Sequence, residues 1–459
     1  MLGVGPLGPL GPARAPVPVG GAPITGTDGR PERPAGPVRG EPPSTIPGAG
    51  GGPGGGTGAG RGRRASRGPR DLAEERQAWV VLATVEGVGE RTLQGLIATH
   101  GSARRALWLA AGGRLGRRLA AEADRRAVPL AARTVAAIEQ VARDPGAALA
   151  SLRDSNVWTV TLLDPDYPAR LDGLAGPPPV LFGQGDPAVL HAPAMVAIVG
   201  TRRASPAGRF EASRAAATLV AGGVVVVSGL AVGIDGAAHA ASVEGGGTTV
   251  AVIGSGHRRP GPRAHAGLVR RILERGAVIG ELPPMARATH GTYPRRNRLI
   301  AALADAVVVI EAPVRSGALI TARLAMEQGV PVYAAAGIGT SPLAAGCRAL
   351  LSECTARPFD GIAALSADLG WSGPAASRPT DPAAPAADEA VAGGPLGGPE
   401  RDVAAILAGG PATFDDVLAR TGGAPGEVAA VLTLLQLRGL VRSVGPLYLP
   451  AGRLLVEPP

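Results

Sequence analysis

The chain has 459 residues, 70 of them Gly and 45 Pro, which is enough length for two or three domains. Its formal charge is +9 and every cation is Arg, but residues 1–70 hold nine Arg against three acidic residues. Bulk charge therefore says little about the folded part. No uncharged run of 18 apolar residues and no secretory pattern occurs, so we predict a cytoplasmic protein without a membrane span. Cys347 and Cys354 fit neither a redox pair nor a zinc site and are predicted to be free thiols.

Residues 1–70 are rich in Gly, Pro and Arg and contain no aromatic residue. Such a segment cannot bury enough apolar surface to offset its ordering entropy, and we predict a disordered tail. The cluster of Arg residues at 61–67 could contact DNA phosphate, or it could simply be a solvated tail.

Residues 71–150 show helical apolar spacing and predict a small helical domain. The turn Gly87-Val88-Gly89 resembles a helix-hairpin-helix (SAM-like) motif, in which backbone N–H groups at a helix N-terminus hold a phosphate. A plain turn between two helices explains the same residues equally well.

Residues 151–370 alternate short apolar β-branched runs with helical segments. The runs fall at 195–199, 224–227, 249–253, 277–279, 306–310 and 332–335, and the helices between them at 208–221, 234–243, 265–274 and 319–328. Continuous apolar strands alternating with helices are typical of βαβ units with buried parallel strands. The predicted fold class is therefore α/β, with a Rossmann-like doubly wound, mostly parallel sheet.

A Pro/Ala/Gly linker is predicted at 371–397, followed by a winged-helix-like domain at 398–455. Three helical segments begin near 401, 414 and 425, and a hairpin turns at Gly445-Pro446. The third helix carries Gln436 and Arg438 but no cationic stripe, so we favour protein contact or a structural role over major-groove reading.

The loops that follow the predicted parallel strands contain mainly Gly, Ser, Thr and Arg. Ligands of open α/β sheets bind at these strand ends. Glycines let phosphate approach the backbone, hydroxyl groups donate to it, and Arg202, Arg295, Arg296 and Arg298 would supply countercharge. The pattern predicts a phosphate site extended over several strand ends.

Several other chemistries are disfavoured by what the motifs lack. There is no GxGxxG after the first strand and no P-loop, and no metal-ligand motif appears, so we predict no cofactor, no metal and no catalytic residue. Glu281 and Glu311 could form a hydrolytic carboxylate pair, but we favour residues that orient loop backbone or an Arg. Asp235 and His239, at i and i+4, are interpreted as a local polar pair rather than a proton-transfer pair.

Four blocks carry a resemblance to a known family: Val196–Arg202, Ser228–His239, Tyr293–Ala301 and Ser316–Ala322. They resemble the signature blocks of the DNA-processing protein A (DprA/Smf) family, as do Asp166-Tyr167-Pro168 and Pro178–Phe182, and the resemblance covers about 72–455. It implies a non-enzymatic homodimer that binds single-stranded DNA and helps to load a RecA-type recombinase in natural transformation. The site residues it implies are Gly200, Thr201, Arg202, Ser228, Gly229, Arg295, Asn297, Arg298, Ser316, Gly317 and Thr321.

The chain departs from the family pattern at Gly261, which stands where an aromatic residue is frequent and leaves base stacking there in doubt. The main alternative function is a nucleotide phosphoribohydrolase, which would use a Glu and an Arg of a similar sheet on nucleoside monophosphates. The separate block at 293–298 and the added C-terminal domain argue against it.

Overall fold

The computed structural model describes residues 69–117, 130–289, 291–336, 341–371, 396–451 and 454. They all belong to one structural unit, Arg64–Pro459. The predictions of a disordered tail and of a linker fall almost entirely outside these residues. Within the described chain, no helix combines the length and apolar character needed to cross a membrane.

In the described part of the N-terminal region lie the helices α1 (Pro69–Ala83), α2 (Glu90–His100), α3 (Ala103–Ala111), α4 (Ala132–Arg143) and α5 (Pro145–Asp154). Local chemistry sets their ends. Ser102 caps α3 by accepting from the N–H of Arg105 at 3.1 Å, and Asp144 caps α5 by accepting from Ala147 at 3.0 Å. The helical prediction is confirmed, and Gly87, with φ +90°, makes the turn before α2.

The unit contains a nine-stranded sheet, in the order β1-β2-β6-β5-β4-β3-β7-β8-β9. Its strands are β1 (Trp158–Thr161), β2 (Val180–Gly185), β3 (Met195–Val199), β4 (Val225–Ser228), β5 (Thr249–Val252), β6 (Ala277–Gly280), β7 (Ala306–Val309), β8 (Val332–Ala334) and β9 (Arg357–Pro358). Strands β3 to β9 are mutually parallel, and β2 is antiparallel to both β1 and β6. The predicted doubly wound, mostly parallel sheet is thus confirmed.

The helices that connect the strands or follow the last of them cover both faces of the sheet. They are α6 (Ala169–Asp172), α7 (Pro206–Ala221), α8 (Ile234–Glu244), α9 (Ala266–Leu273), α10 (Thr292–Leu303), α11 (Gly317–Glu327), α12 (Ala345–Ser352) and α13 (Ile362–Asp368). Along β3, Val196 and Ile198 join one apolar cluster with α7, whereas Ala197 and Val199 join a second cluster with α10 and α11. Alternation along one strand therefore packs helices on both faces.

A winged helix follows: α14 (Gly398–Ala408), β10 (Ala412–Thr413), α15 (Phe414–Thr421), α16 (Pro425–Leu437), β11 (Val441–Val444) and β12 (Leu447–Pro450). The strands form a second sheet in the order β10-β12-β11. Thr413 caps α15 through a capping box with Asp416, and Pro425 starts α16, as the sequence predicts.

The hairpin β11–β12, the wing, packs against the rest of the molecule. Val444, Leu447 and Leu449 belong to the apolar cluster that also contains the N-terminal helices and one face of the large sheet. Arg442 forms an ion pair with Asp172 and donates to the carbonyl of Leu162. The wing thus packs inside this unit, against the N-terminal helices and the large sheet.

Candidate functional site

A pocket of about 360 Å³ opens at the carboxyl ends of β3 and β7. These neighbouring strands are followed by α7 and α11, which pack on opposite faces of the sheet. The position is the topological switch point, where open α/β sheets bind ligands. We call it the switch-point pocket.

Seven of the eleven predicted site residues line the switch-point pocket. They come from three separate stretches, namely the loop after β3, helix α10 and the start of α11: Gly200, Thr201, Arg202, Asn297, Ser316, Gly317 and Thr321. The structure thus brings most of the predicted residues together.

The loop after β3 is held close to its neighbours because glycine occupies two crowded positions. A Cβ at Gly200 would lie 2.7 Å from Cβ of Ile234 and 2.9 Å from the carbonyl oxygen of Glu311. Gly233 has φ +88° and faces the carbonyls of Thr201 and Arg202. The N–H of Thr201 donates to Glu311 at 2.6 Å, so the loops after β3 and β7 form one rigid wall of the pocket.

The N-terminus of α11 forms the opposite wall. Ser316 is its N-cap and accepts from the N–H of Ala318 at 3.3 Å, while Asn297 donates to the carbonyl of Gly317 at 3.3 Å. No atom lies within 4 Å of a Cβ built on Gly317, so its backbone is open to a ligand. The N-terminus of an eleven-residue helix carries the positive end of the helix dipole and favours an anion at this place.

The block at 293–298 is the beginning of helix α10, although the sequence predicts that these residues follow a strand as a loop. A helix separates its faces, so consecutive residues cannot all point to one ligand. Tyr293, Arg296, Asn297 and Ile300, at helical spacing i, i+3, i+4 and i+7, line the pocket. Arg295 and Arg298, which are three apart, lie on another face and contact Glu281.

Four predicted site residues lie outside the pocket. Ser228 is fully buried and its hydroxyl donates to the carbonyl of Ile198 at 2.6 Å. Gly229 contributes its carbonyl, which accepts from Arg296 at 2.9 Å. Arg298 pairs with Glu281 at 2.5 Å and donates to Gly176, whereas Arg295 is 59% exposed and 3.9 Å from Glu281.

A buried charge pair lies at the base of the pocket. Burial lowers the pKa of Arg296, against the opposing effect of the Asp235 carboxylate. Burial also disfavours the charged form of Asp235 and so raises its pKa, and the positive charge of Arg296 counteracts that rise. Each group therefore stabilises the charged form of the other, which holds a cation beneath the pocket.

Tyr293, Arg203 and Arg315 were not predicted as site residues, and Arg296 was predicted only as a source of countercharge. Arg202 lies over the ring of Tyr293, 5.0 Å from its centroid. Arg203 and Arg315 are exposed and have no carboxylate partner among the described residues. Helical spacing from Asn297 could have identified Tyr293 and Arg296, but nothing in the sequence marks Arg203 or Arg315 apart from their place after a strand.

The carboxylates near the strand ends are all engaged. Glu311 is fully buried and accepts from the N–H of Ser205 at 2.8 Å, and Glu281 holds Arg298, so the prediction that these residues orient backbone and arginine is confirmed. Asp235 fixes the loop before α8 by accepting from Ala231. Its predicted pairing with His239 is wrong, because His239 points its Nδ1 to Thr249 at 2.8 Å. Within the described residues no group of three His, Cys, Asp or Glu could hold a metal.

These features define a Rossmann-like α/β protein with an arginine-lined pocket at its switch point and a C-terminal winged helix. A family model for DNA recombination-mediator protein A matches residues 158–370, and a model for the DprA winged helix domain matches 378–445. The chain belongs to the DprA/Smf family of DNA processing proteins, which confirms the resemblance seen in its sequence blocks.

Individual relatives agree with this assignment. The putative DNA processing protein DprA of Mycobacterium tuberculosis (strain H37Rv) is 40% identical over 269 residues, 57% of this chain and 66% of the relative, just under two thirds of its length. DNA processing protein DprA of Bacillus subtilis (strain 168) is 35% identical over 45% of this chain and 69% of the relative. The X-ray structure of DprA from Streptococcus pneumoniae is 29% identical with a TM-score of 0.51, covering 64% of this chain and 97% of that one.

Proposed function

We propose that the chain binds single-stranded DNA in the switch-point pocket and acts as an accessory of DNA recombination. The observation that carries this proposal is the set of exposed arginines, Arg202, Arg203 and Arg315, around the N-terminus of α11 and the aromatic ring of Tyr293. Guanidinium groups bind phosphate oxygens in a bidentate manner. The site is built for phosphodiester groups rather than for an apolar ligand.

The dimensions of the pocket favour an unpaired strand. A volume of about 360 Å³ is at the low end for a small-molecule site and accommodates one nucleotide, not a duplex. Tyr293 lines this pocket, and an aromatic face supports a base by about 1–3 kcal/mol. A base can reach that face only when it is not stacked and paired in a double helix. Tyr293 would thus supply an aromatic surface for a base, whereas Gly261 occupies the position at which the family frequently has an aromatic residue.

The partners follow from the family. The matching model describes a DNA recombination mediator. On this basis the protein would work as a cytoplasmic homodimer that delivers the bound strand to a RecA-type recombinase during DNA uptake and transformation. The remaining predicted residues, Ser228, Gly229, Arg295 and Arg298, would act around the pocket by holding its loops and extending its positive charge.

A binding role without turnover fits the carboxylates of the site. Glu281 and Glu311 do not line the pocket, and the acid that does, Asp235, is buried beside Arg296. A phosphoribohydrolase needs a carboxylate facing the sugar. The arrangement therefore supports binding of nucleic acid over hydrolysis of a mononucleotide.

The test is a titration of labelled single-stranded and double-stranded DNA at several salt concentrations. Arg202→Ala is expected to weaken single-strand binding and to reduce the slope of log K against log salt by about 0.7, the value for one lost phosphate contact. Arg275→Ala is the matched control, because Arg275 is exposed before β6, at the opposite end of the strands.

Equal affinity for both DNA forms, or an unchanged slope for Arg202→Ala, would contradict the proposal. Release of free base from nucleoside monophosphates by the unmodified protein, abolished by Asp235→Asn, would replace it with the hydrolase alternative. Stimulation of RecA filament formation on the bound strand would support the mediator role.

A further inference from the structure

A second group of exposed cations lies at the carboxyl ends of β5 and β6. Arg258 and Arg259 follow β5, and Arg287 follows β6. Together with Met285 they line a cavity of about 430 Å³ whose lining contains no acidic residue. We call these four residues the β5–β6 patch. None of them belongs to the switch-point pocket.

The β5–β6 patch is a built surface, because backbone bonds join its two loops. The N–H of Gly256 donates to the carbonyl of Ala286 at 2.8 Å, and the N–H of Arg258 donates to Pro284 at 3.1 Å. Gly256 is required for this approach, since a Cβ there would collide with the carbonyls of Pro283 and Pro284. The loops are therefore fixed relative to each other before any ligand arrives.

The charges of the patch are not neutralised within the described chain. No ion pair is formed by Arg258, Arg259 or Arg287 there, and Arg258 contacts the sulfur of Met285 at 3.7 Å. Met285 is 67% exposed, which is unusual for a large apolar side chain. Three unpaired guanidinium groups beside an exposed thioether suit a ligand that carries both phosphates and flat apolar surfaces.

The patch and the switch-point pocket share one edge of the sheet. Parallel strands present their carboxyl ends together, and β3 is separated from β6 by three strand spacings, about 14 Å. Arg295, exposed on α10, lies beside Glu281 at the end of β6. The Glu281 carboxylate is itself held by Arg298. A cationic path therefore leads from the pocket toward β6.

The cationic path ends where the β5–β6 patch borders helix α5. Arg258 also borders a separate cavity formed with α5, where Asp154 and the buried His257 lie. A carboxylate repels a phosphate backbone, so a bound strand is directed toward Arg259 and Arg287 rather than toward α5.

We propose that the β5–β6 patch is a second contact site for the phosphodiester backbone of the strand held in the switch-point pocket. This inference rests on the proposed function and gives the strand a direction across the sheet, from β3 and β7 toward β6. A short oligonucleotide occupies the pocket alone. A longer one also reaches the patch and binds more tightly.

The test compares oligothymidylates of about 4 to about 16 nucleotides, the usual range of site sizes for a groove that holds a single strand. The triple variant Arg258→Ala, Arg259→Ala, Arg287→Ala is measured beside the triple variant Arg270→Ala, Arg271→Ala, Arg275→Ala. The control removes the same charge from the end of α9 and the loop before β6, at the opposite edge of the sheet.

The patch variant is expected to bind the shortest oligonucleotide as the unmodified protein does. It should lose the gain in affinity with length, and its salt slope for the longest oligonucleotide should fall by about 2, from three contacts. The control variant should keep both. An unchanged gain with length in the patch variant, or an equal loss in both triple variants, would overturn the proposal.

These outcomes separate the two proposals. If the unmodified protein binds no oligonucleotide of any length, the proposed function fails and the patch inference fails with it. If short oligonucleotides bind and Arg202→Ala removes that binding while patch substitutions change nothing, the pocket stands and the patch inference alone is wrong.

Discussion

The carboxyl edge of the large sheet and the wing of the winged helix both carry arginines, yet they use them in opposite ways. Arg202, Arg203 and Arg315 at the edge are exposed and form no ion pair with a carboxylate among the described residues. Arg442 in the wing pairs with Asp172 and donates to Leu162. The difference shows that partners, rather than the mere presence of arginine, decide where charge is free for a ligand.

The two regions also differ in what surrounds the cation. The edge has glycine loops and helix N-termini, whereas the wing has the apolar side chains Val444, Leu447 and Leu449 packed into the interior. A guanidinium group among such neighbours fixes one part of the chain on another. This contrast agrees with a structural or protein-contact role for the winged helix, which stays a prediction.

The largest effect is expected from Arg296→Met, which would remove the cation beneath the pocket. It leaves the buried Asp235 without its counter-charge and should lower the free energy of unfolding by about 3–5 kcal/mol at pH 7. Urea unfolding measures the change. The double variant with Asp235→Asn should recover much of the loss. If Arg296→Met is as stable as the unmodified protein, the Asp235–Arg296 pair does not stabilise the carboxyl edge of the sheet.

A second effect on folding stability should appear at acidic pH. The pKa of the fully buried His239 is lowered to about 3 and that of His257 to about 4, in both cases because burial disfavours the charged imidazole. Between these values and the ordinary value of 6.5, the unfolded chain binds protons that the folded chain does not. Stability is therefore complete above pH 6.5 and falls as the pH drops, by about 1.4 kcal/mol per pH unit for each histidine.

The measurement is urea unfolding between pH 6 and pH 4, where His239 alone should account for about 3 kcal/mol. His239→Gln and His257→Gln should each flatten the pH dependence, whereas His191→Gln, at an exposed position, should not. The winged-helix residues 398–451 contain no histidine. A steep acid transition that survives in both buried variants would show that other groups control it.

The smallest effect on the free energy of unfolding is expected from a substitution in the wing. Arg442→Ala removes the ion pair to Asp172 and should cost about 1–2 kcal/mol, while single-strand affinity stays the same. Calorimetry should show the winged helix melting separately. Arg438→Ala is the matched control, because Arg438 pairs with Glu400 inside the winged helix at 3.2 Å. Reduced DNA binding in Arg442→Ala would contradict the division of roles between edge and wing.

Much of the fold could be predicted because buried parallel strands have a simple sequence pattern. The predicted run at 195–199 coincides with β3, and the run at 249–253 is one residue longer than β5. The strands β1 and β2 were not predicted. Val160 and Trp158 of β1 are only half buried, so the alternation is weak, and β2 ends on Gly185, which has φ +86°.

The site was predicted less completely, and helix α10 explains why. Strand-end reasoning identifies loops such as Gly200–Arg202, where neighbouring residues can share a ligand. It cannot assign the block at 293–298 correctly, because Pro294 and the polar run Arg295–Arg298 suggest a loop, whereas Pro fits the first turn of a helix. Which arginines turn inward then depends on helical phase, and Arg296 rather than Arg295 faces the pocket.

The hydrogen bond from Thr201 to the carbonyl of Glu311 joins the loops after β3 and β7, which form one wall of the switch-point pocket, before a ligand binds. Opening the pocket by spreading β3 from β7 would break this bond and the sheet beside it. Capture of a strand should thus proceed without rearrangement of the protein, and its speed should depend on how ions in solution screen the attraction between arginine and phosphate. Association would then be fast in dilute buffer and slow steadily as salt is added.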